Sequence, residues 1–285
     1  LFLCSYIDSY SKLLHRSEIM NENMFTDFTK ESDSYFFGLL LTDGNVSSKR
    51  NTISLGLQLS DKHIIEAYRD YVGIERQVNP YNDGKSVRFC FNSQIIKERL
   101  IEQNLLPRKS AKEKLPKFDW TTNRNFWRGV IDGDGSMFYT NNSLKVSLGG
   151  SKELLEGFNY FCQLNCFTKP RKLDKTKTTN FFTMCFSGEE AILIAKCLYE
   201  NSNLHLIRKH NIYKKALEEY IPKSPNRNIQ ILPSGRFRVR IGFNGKKIHV
   251  GTYDSYEEAF SARIDAEIKY QGKLEGTNVV TYRSG

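Results

Sequence analysis

Trp127-Arg128-Gly129-Val130-Ile131-Asp132-Gly133-Asp134-Gly135 is the stretch around which the rest of the chain is arranged. It is an apolar helical run that ends in acid and glycine, and it has a twin in Phe36-Phe37-Gly38-Leu39-Leu40-Leu41-Thr42-Asp43-Gly44. Each run carries a Gly five residues before an Asp, aliphatic residues between them and a Gly directly after. Each therefore reads as a helix whose final acid stands at the C-terminal end, with Gly44 or Gly135 in the left-handed stop conformation. A carboxylate there opposes the partial negative charge of the helix end, by roughly 0.3–1 kcal/mol at an exposed site. A divalent cation removes that objection. If the two helices pack side by side, Gly38 and Gly129 let the backbones approach, and one carboxylate from each copy comes to a shared centre. An isolated Asp-Gly pair is ordinarily a hairpin signal, but repetition of the whole frame once per half argues for an internal duplication.

The elements around each copy repeat as well. After the first come two short strands from Val46 to Ser60, with Ile53, Leu55, Leu57 and Leu59 alternating against Thr52, Ser54, Gly56 and Gln58. An amphipathic helix over Asp61–Val72 follows, then a hairpin turning at Asn82-Asp83-Gly84 with Val87, Phe89 and Phe91 inward, and a helix over Ser93–Asn104. After Gly135, strands flank Asn141-Asn142, Lys152–Cys162 is helical, and a hairpin bends through Asp174-Lys175-Thr176-Lys177. Its return strand Phe182–Phe186 echoes Val87–Phe91, and the helix Glu189–Tyr199 follows. Leu105–Arg124 is a basic, proline-marked linker between the halves.

At the paired motifs the chain resembles the two-motif, single-chain LAGLIDADG homing endonucleases. The resemblance implies an α+β fold in which two pseudo-symmetric αββαββα domains, residues 25–119 and 120–221, form a β-saddle. It also implies that the final acid of each motif, Asp43 and Asp134, binds the catalytic metal, with Gly44 and Gly135 beside them in the metal site. Leu41 departs from the family pattern where Asp132 keeps an earlier acid. A lysine that approaches the active site in this family corresponds to Lys109 in Leu106-Pro107-Arg108-Lys109 and Lys209 in Leu206-Ile207-Arg208-Lys209. The activity implied is site-specific double-strand cleavage of DNA across the minor groove, leaving 3′ overhangs, with Mg2+ or Mn2+ in a two-metal arrangement. Calcium is excluded for Asp132-Gly133-Asp134, because a calcium loop needs Gly where Met137 stands.

Two other functions are compatible with the same residues: a maturase acting on its own intron RNA, and a sequence-specific DNA-binding regulator that does not cut. Retention of both acids weighs against each.

Composition agrees with a polyanion partner. The 285 residues, 33.0 kDa, carry a net charge of +10 and a pI near 9.2, with 13% aromatic and 26% charged residues, the profile of a folded basic protein. A one-face-polar antiparallel sheet suits the major groove, which distinguishes all four base pairs. The outward candidates are Ser54, Gln58, Arg88, Lys145, Ser147 and Thr183, with Arg171, Lys172, Lys175 and Lys177 near turns to meet phosphate. Because the halves differ in sequence, the expected target is double-stranded DNA of low symmetry, bound by a monomer.

Composition changes near Lys223, where Pro222 and Pro225 mark a flexible linker to a module over residues 226–280. Gly235–Ile241 alternates Arg236, Arg238 and Arg240 with apolar residues, turns at Asn244-Gly245 and returns through Lys247–Tyr253. A helix then starts at Ser255, with Glu257 and Glu258 in its first turn. This stretch resembles the ethylene-response-factor (APETALA) type of DNA-binding domain, a three-stranded sheet with one packed helix, which implies that Arg236, Arg238 and Arg240 enter the major groove.

The remaining features exclude classes. No run of about 18 apolar residues predicts a membrane span. Leu1-Phe2-Leu3-Cys4 lacks the basic leader of a signal peptide, and residues 1–24 form an extension with no function assigned. Six dispersed cysteines without a Cys-x-x-Cys pattern do not suggest zinc. Reduced thiols in a cytoplasmic, organellar or nucleoid-associated setting are expected, not secretion.

Overall fold

The computed structural model describes residues 20–107, 112–141, 143–176, 180–219, 228–243 and 245–271. Among them the order is α1 (Glu31–Thr42), β1 (Gly44–Val46), β2 (Thr52–Gln58), α2 (Lys62–Val72), β3 (Pro80–Tyr81), β4 (Ser86–Asn92) and α3 (Gln94–Glu102). The pattern then recurs as α4 (Arg124–Asp134), β5 (Gly135–Thr140), β6 (Ser143–Gly150), α5 (Lys152–Asn165), β7 (Asp174–Lys175), β8 (Phe182–Ser187) and α6 (Glu189–Tyr199), followed by α7 (Ile207–Glu219). Two four-stranded antiparallel sheets result, ordered β1-β2-β4-β3 and β5-β6-β8-β7, so the duplication legible in the sequence is a duplication of topology. The fold is α+β.

The two motif helices α1 and α4 pack on one another at the centre. Both are buried around most of their circumference, Asp33–Leu41 in α1 and Phe126–Asp132 in α4, the latter including the charged residues Arg128 and Asp132. Gly38 and Gly129 make this possible: a Cβ on Gly129 would stand 2.2 Å from the carbonyl oxygen of Tyr35, and one on Gly38 would stand 2.2 Å from that of Phe126. Side-chain oxygens cap the starts of α4, α3 and α5, Asn123 accepting from the Phe126 amide, Ser93 from Ile96 and Ser151 from Leu154.

Several expectations are corrected. Gly44 and Gly135 do not adopt a left-handed conformation; Gly135 is extended at φ −80°, ψ 153° and opens β5. They are glycine for lack of space instead, since a Cβ on either would press within 2.6 Å of the preceding helical turn, at Leu40 and Ile131. Leu59 does not continue the inward row. It lies in a 3-10 turn, Leu59–Asp61, and is 41% exposed. Asp174-Lys175 is strand rather than turn, paired with Thr183 and Phe182; Lys177 lies outside the described residues. The described middle of the inter-half linker is fastened to both halves. Glu113 accepts from the Ser151 amide at 2.9 Å, Glu153 accepts from that of Leu115 at 3.0 Å, and Gln103 accepts from that of Phe118 at 3.0 Å.

A third antiparallel sheet, β9 (Ile229–Ile231), β10 (Phe237–Phe243) and β11 (Lys246–Tyr253) in the order β11-β10-β9, is covered by α8 (Tyr256–Gln271). Ser255 caps that helix by accepting from the Glu258 amide. The Pro222–Pro225 linker lies outside the described residues. No described helix is long and apolar enough to cross a membrane, and the described cysteines, Cys90, Cys162, Cys166, Cys185 and Cys197, are all free thiols.

Candidate active site and nucleic-acid face

The close helix pair brings the two motif acids to the same end of the molecule's centre. Asp43 caps α1 in helical geometry, and Asp134 is the last residue of α4; both side chains are exposed while the turns behind them are buried. The Asp43 carboxylate reaches the last turn of the opposite helix, with Oδ2 3.1 Å from where a Cβ of Gly133 would be. That Cβ would also overlap the Thr42 hydroxyl at 1.9 Å, so the close approach of the two helix ends requires glycine here.

Lys209 stands behind Asp134. Its side chain is 1% exposed, and its ammonium donates to the carbonyls of Ile131, of Asp132 at 2.9 Å and of Gly135 at 2.7 Å. An ammonium has three N–H groups, and here each meets a carbonyl at the negative end of α4. Lys209 thus neutralises the helix end that carries the acid. Lys109, its counterpart in the first half, lies outside the described residues.

Burial pushes the Lys209 ammonium down to about 8, the Asp132 carboxylate partly opposing the shift. An unfolded lysine titrates near ~10.4. Below about pH 8 both states hold the proton and the cost of burying the charge is fully present. Above that, and up to ~10.4, the unfolded chain holds more protons than the native one, so this contribution to stability rises with pH. Measured by urea unfolding against Lys209→Met, the wild-type chain should gain about 1.5 kcal/mol between pH 8 and 9.5. A difference that stays flat with pH would show that Lys209 titrates as an ordinary surface lysine.

A buried polar network, not foreseen from the sequence, sets the position of this lysine. Asp132, 1% exposed, accepts from the Tyr199 hydroxyl at 2.6 Å, the Tyr35 hydroxyl at 2.9 Å and the Leu206 amide at 2.9 Å. Burial, reinforced by the Asp132 charge, holds both phenols well above their usual range, so they remain donors. Arg128, wholly buried, donates to the carbonyls of Leu204 at 2.7 Å and Leu198 at 2.8 Å and pairs with Glu31. Glu31 in turn accepts from the amides of Asn203 and Leu204. The segment leading into α7 is therefore held by both motif helices, and Lys209 follows from it. The available signal was an arginine and an extra acid inside an apolar run. The neighbouring Arg208 joins the halves by pairing at 3.1 Å with Asp61, itself buried at the start of α2.

Each sheet turns one polar face outward, in matching register. Across the first, Asn45 faces Ser54 and Ser54 faces Cys90; across the second, Ser136 faces Ser147 and Ser147 faces Cys185. Arg88 and Gly56 are partners in the first sheet, as Thr183 and Gly149 are in the second. Arg88 is exposed and lies over the Tyr81 ring at 4.5 Å, and Lys145 lies 5.7 Å from the Phe138 ring. Lys172 and Lys175 are exposed near the β7 end. Three candidates have polar protein partners: Arg88 donates to the Tyr81 hydroxyl at 3.2 Å, Gln58 donates to Asp61 at 2.9 Å, and Arg171 pairs with Glu190. In the third sheet Arg236 pairs with Asp254 at 2.7 Å, Arg238 donates to Gln230 at 2.7 Å, and Arg240 is exposed.

No family model and no curated protein matches the chain. Among solved structures, it is similar to the I-LtrWI LAGLIDADG homing endonuclease bound to target DNA, with a TM-score of 0.47 and 12% identity, covering 64% of this chain and 87% of that one. It is similar to meganuclease I-SmaMI bound to uncleaveable DNA with a TTCT central four, with a TM-score of 0.45 and 10% identity over 65% of this chain and 88% of that one. It is also similar to LAGLIDADG meganuclease I-CpaMI bound to uncleaved DNA, with a TM-score of 0.44 and 13% identity over 65% of this chain and 89% of that one.

Proposed function

We propose that this chain is a metal-dependent, site-specific endonuclease of double-stranded DNA, acting as a monomer in the homing of a mobile intron or freestanding element. The observation that carries the proposal is the exposed acid at the end of each of two helices packed backbone to backbone, with Asp43 Oδ2 reaching the turn before Asp134. A duplicated centre of this kind offers one carboxylate to each strand of a duplex.

Among the described residues no group of three or more His, Cys, Asp or Glu side chains forms a metal site. Two hard carboxylates fit Mg2+ or Mn2+, which take few protein ligands and complete their shell with water and substrate phosphate. Asp43 and Asp134 would hold the ions, with the carbonyls of Gly44 and Gly135 nearby; that of Gly135 already accepts from Lys209. When bound, such ions lower the pKa of an attacking water and neutralise the departing oxygen. The chain's own residues supply placement. Gly133 leaves room for Thr42 and the Asp43 carboxylate, Lys209 offsets the negative helix end beneath Asp134, and Asp132, Arg128 and Glu31 fix the segment that carries Lys209. The two polar sheet faces, through Ser54, Arg88, Lys145, Ser147 and Thr183, read the half-sites, and Lys172 and Lys175 meet phosphate.

Incubation of the pure protein with DNA spanning the uninterrupted insertion site should give a double-strand break with Mg2+ and none in chelator. Tight binding to that DNA without cutting in Mg2+ or Mn2+ would refute the nuclease assignment.

A further inference from the structure

The C-terminal module is docked on the second half through its helix. Helix α8 has neighbours on two sides, and its residues Ala259, Phe260, Arg263 and Ala266 are all 7% exposed or less. One side packs on β10 and β11. The other meets α6 and α7, where Tyr256, Glu257 and Phe260 border a small gap with Ile192, Lys196 and Leu217. Two polar contacts fix the register of this interface: Arg263 pairs with Glu189 at 2.7 Å while lying over the Phe260 ring, and Lys196 donates to the Ser261 hydroxyl at 2.9 Å.

With its helix between the sheet and the second half, the module presents the opposite sheet face outward. Strand pairing places Gln230, Arg238 and Thr252 in one row of that face, with Arg240 beside His249 and Gly242 beside Lys247 in the next rows. Arg240, Lys247 and His249 are exposed. A basic strand face with amide and hydroxyl groups fits a DNA groove and its phosphates.

We propose that the docked module is a fixed ruler: it reads an additional DNA segment outside the second half-site, at one set spacing and helical phase from the cleavage centre. The proposal rests on the DNA reading above. A freely tethered module would raise local concentration and tolerate many spacings. A docked one accepts a single spacing, because half a helical turn, about 5 base pairs, carries the outer segment to the opposite side of the duplex.

Selection from a random-sequence duplex pool tests this through binding alone, without cleavage. The full chain should enrich a motif of two parts at one spacing, and the chain ending at Glu219 should enrich the inner part only. Inserting five base pairs between the parts should reduce full-chain affinity to that of the truncated chain. Arg263→Glu should scatter the selected spacing over several base pairs, and Arg263→Glu with Glu189→Arg should restore one spacing, which separates loss of docking from misfolding. The ruler is overturned if the full chain selects variable spacing, or if full and truncated chains select the same motif. If neither selects any sequence, the DNA reading itself fails and the ruler with it.

Discussion

Replacing Asp134 by Asn should abolish double-strand cleavage while changing DNA affinity by less than about tenfold. The substitution keeps the shape of the side chain and removes the charge proposed above to hold a divalent ion. Asp134 is exposed at the end of α4, and the supports of that helix end, the Lys209 contacts to Ile131, Asp132 and Gly135, are made to backbone carbonyls and stay in place. Asp43→Asn should behave likewise, because its carboxylate reaches the turn before Asp134 and, under the proposed function, the two acids serve one centre. Supercoiled plasmid carrying the target distinguishes the outcomes. Full linearisation by either variant would overturn the metal assignment, whereas nicking alone would mean that the two strand cuts are independent.

The second large effect is on folding. Gly129→Ala should cost about 3 kcal/mol of stability, at the upper end of what overpacking usually costs. The added methyl meets main chain, the Tyr35 carbonyl at 2.2 Å and the Leu39 nitrogen at 2.9 Å, and no rotamer change can relieve it. Gly38→Ala should match it, since its Cβ would meet the Phe126 carbonyl at the same distance. Urea unfolding of the two variants gives the answer. A loss below about 0.5 kcal/mol would show that α1 and α4 are held apart in solution. By contrast Gly242, whose Cβ would meet no atom within 4 Å, is a control for any general effect of adding a methyl group.

Local periodicity carried most of the fold into view. Alternation of Ile53, Leu55 and Leu57, the turn at Asn82-Asp83-Gly84 and the capping serines each act within a few residues, so strands, hairpins and helix starts could be read directly. The motif acids were legible because their frame occurs twice. The network behind them was not: Asp132 collects donors from Tyr35, Tyr199 and Leu206, partners far apart in sequence that only tertiary packing brings together. Helix α7 was missed for a related reason. Its buried residues Lys209, Tyr213 and Ala216 form a thin stripe in a polar sequence, and one of them is a charge whose burial depends on three distant carbonyls. Docking of α8 escaped notice because nothing local tells a small alanine-rich face turned to its own sheet from one turned to a neighbouring domain.

The mismatch between Leu41 and Asp132 gives the duplicated halves an assigned order. In this chain the Tyr35 hydroxyl of the first motif helix meets the carboxylate of the second. Two copies of the first half would place that phenol near Leu41 and strand a buried donor. Two copies of the second half would set Asp132 against Phe126, the residue equivalent to Tyr35, and strip a donor from a buried carboxylate. Either symmetric pairing loses what the mixed one keeps. Were the chain cut between Gln103 and Asn123, its two pieces would choose each other over themselves: the ancestral symmetry survives in the outline of the fold, and the wiring of its centre has made it irreversible.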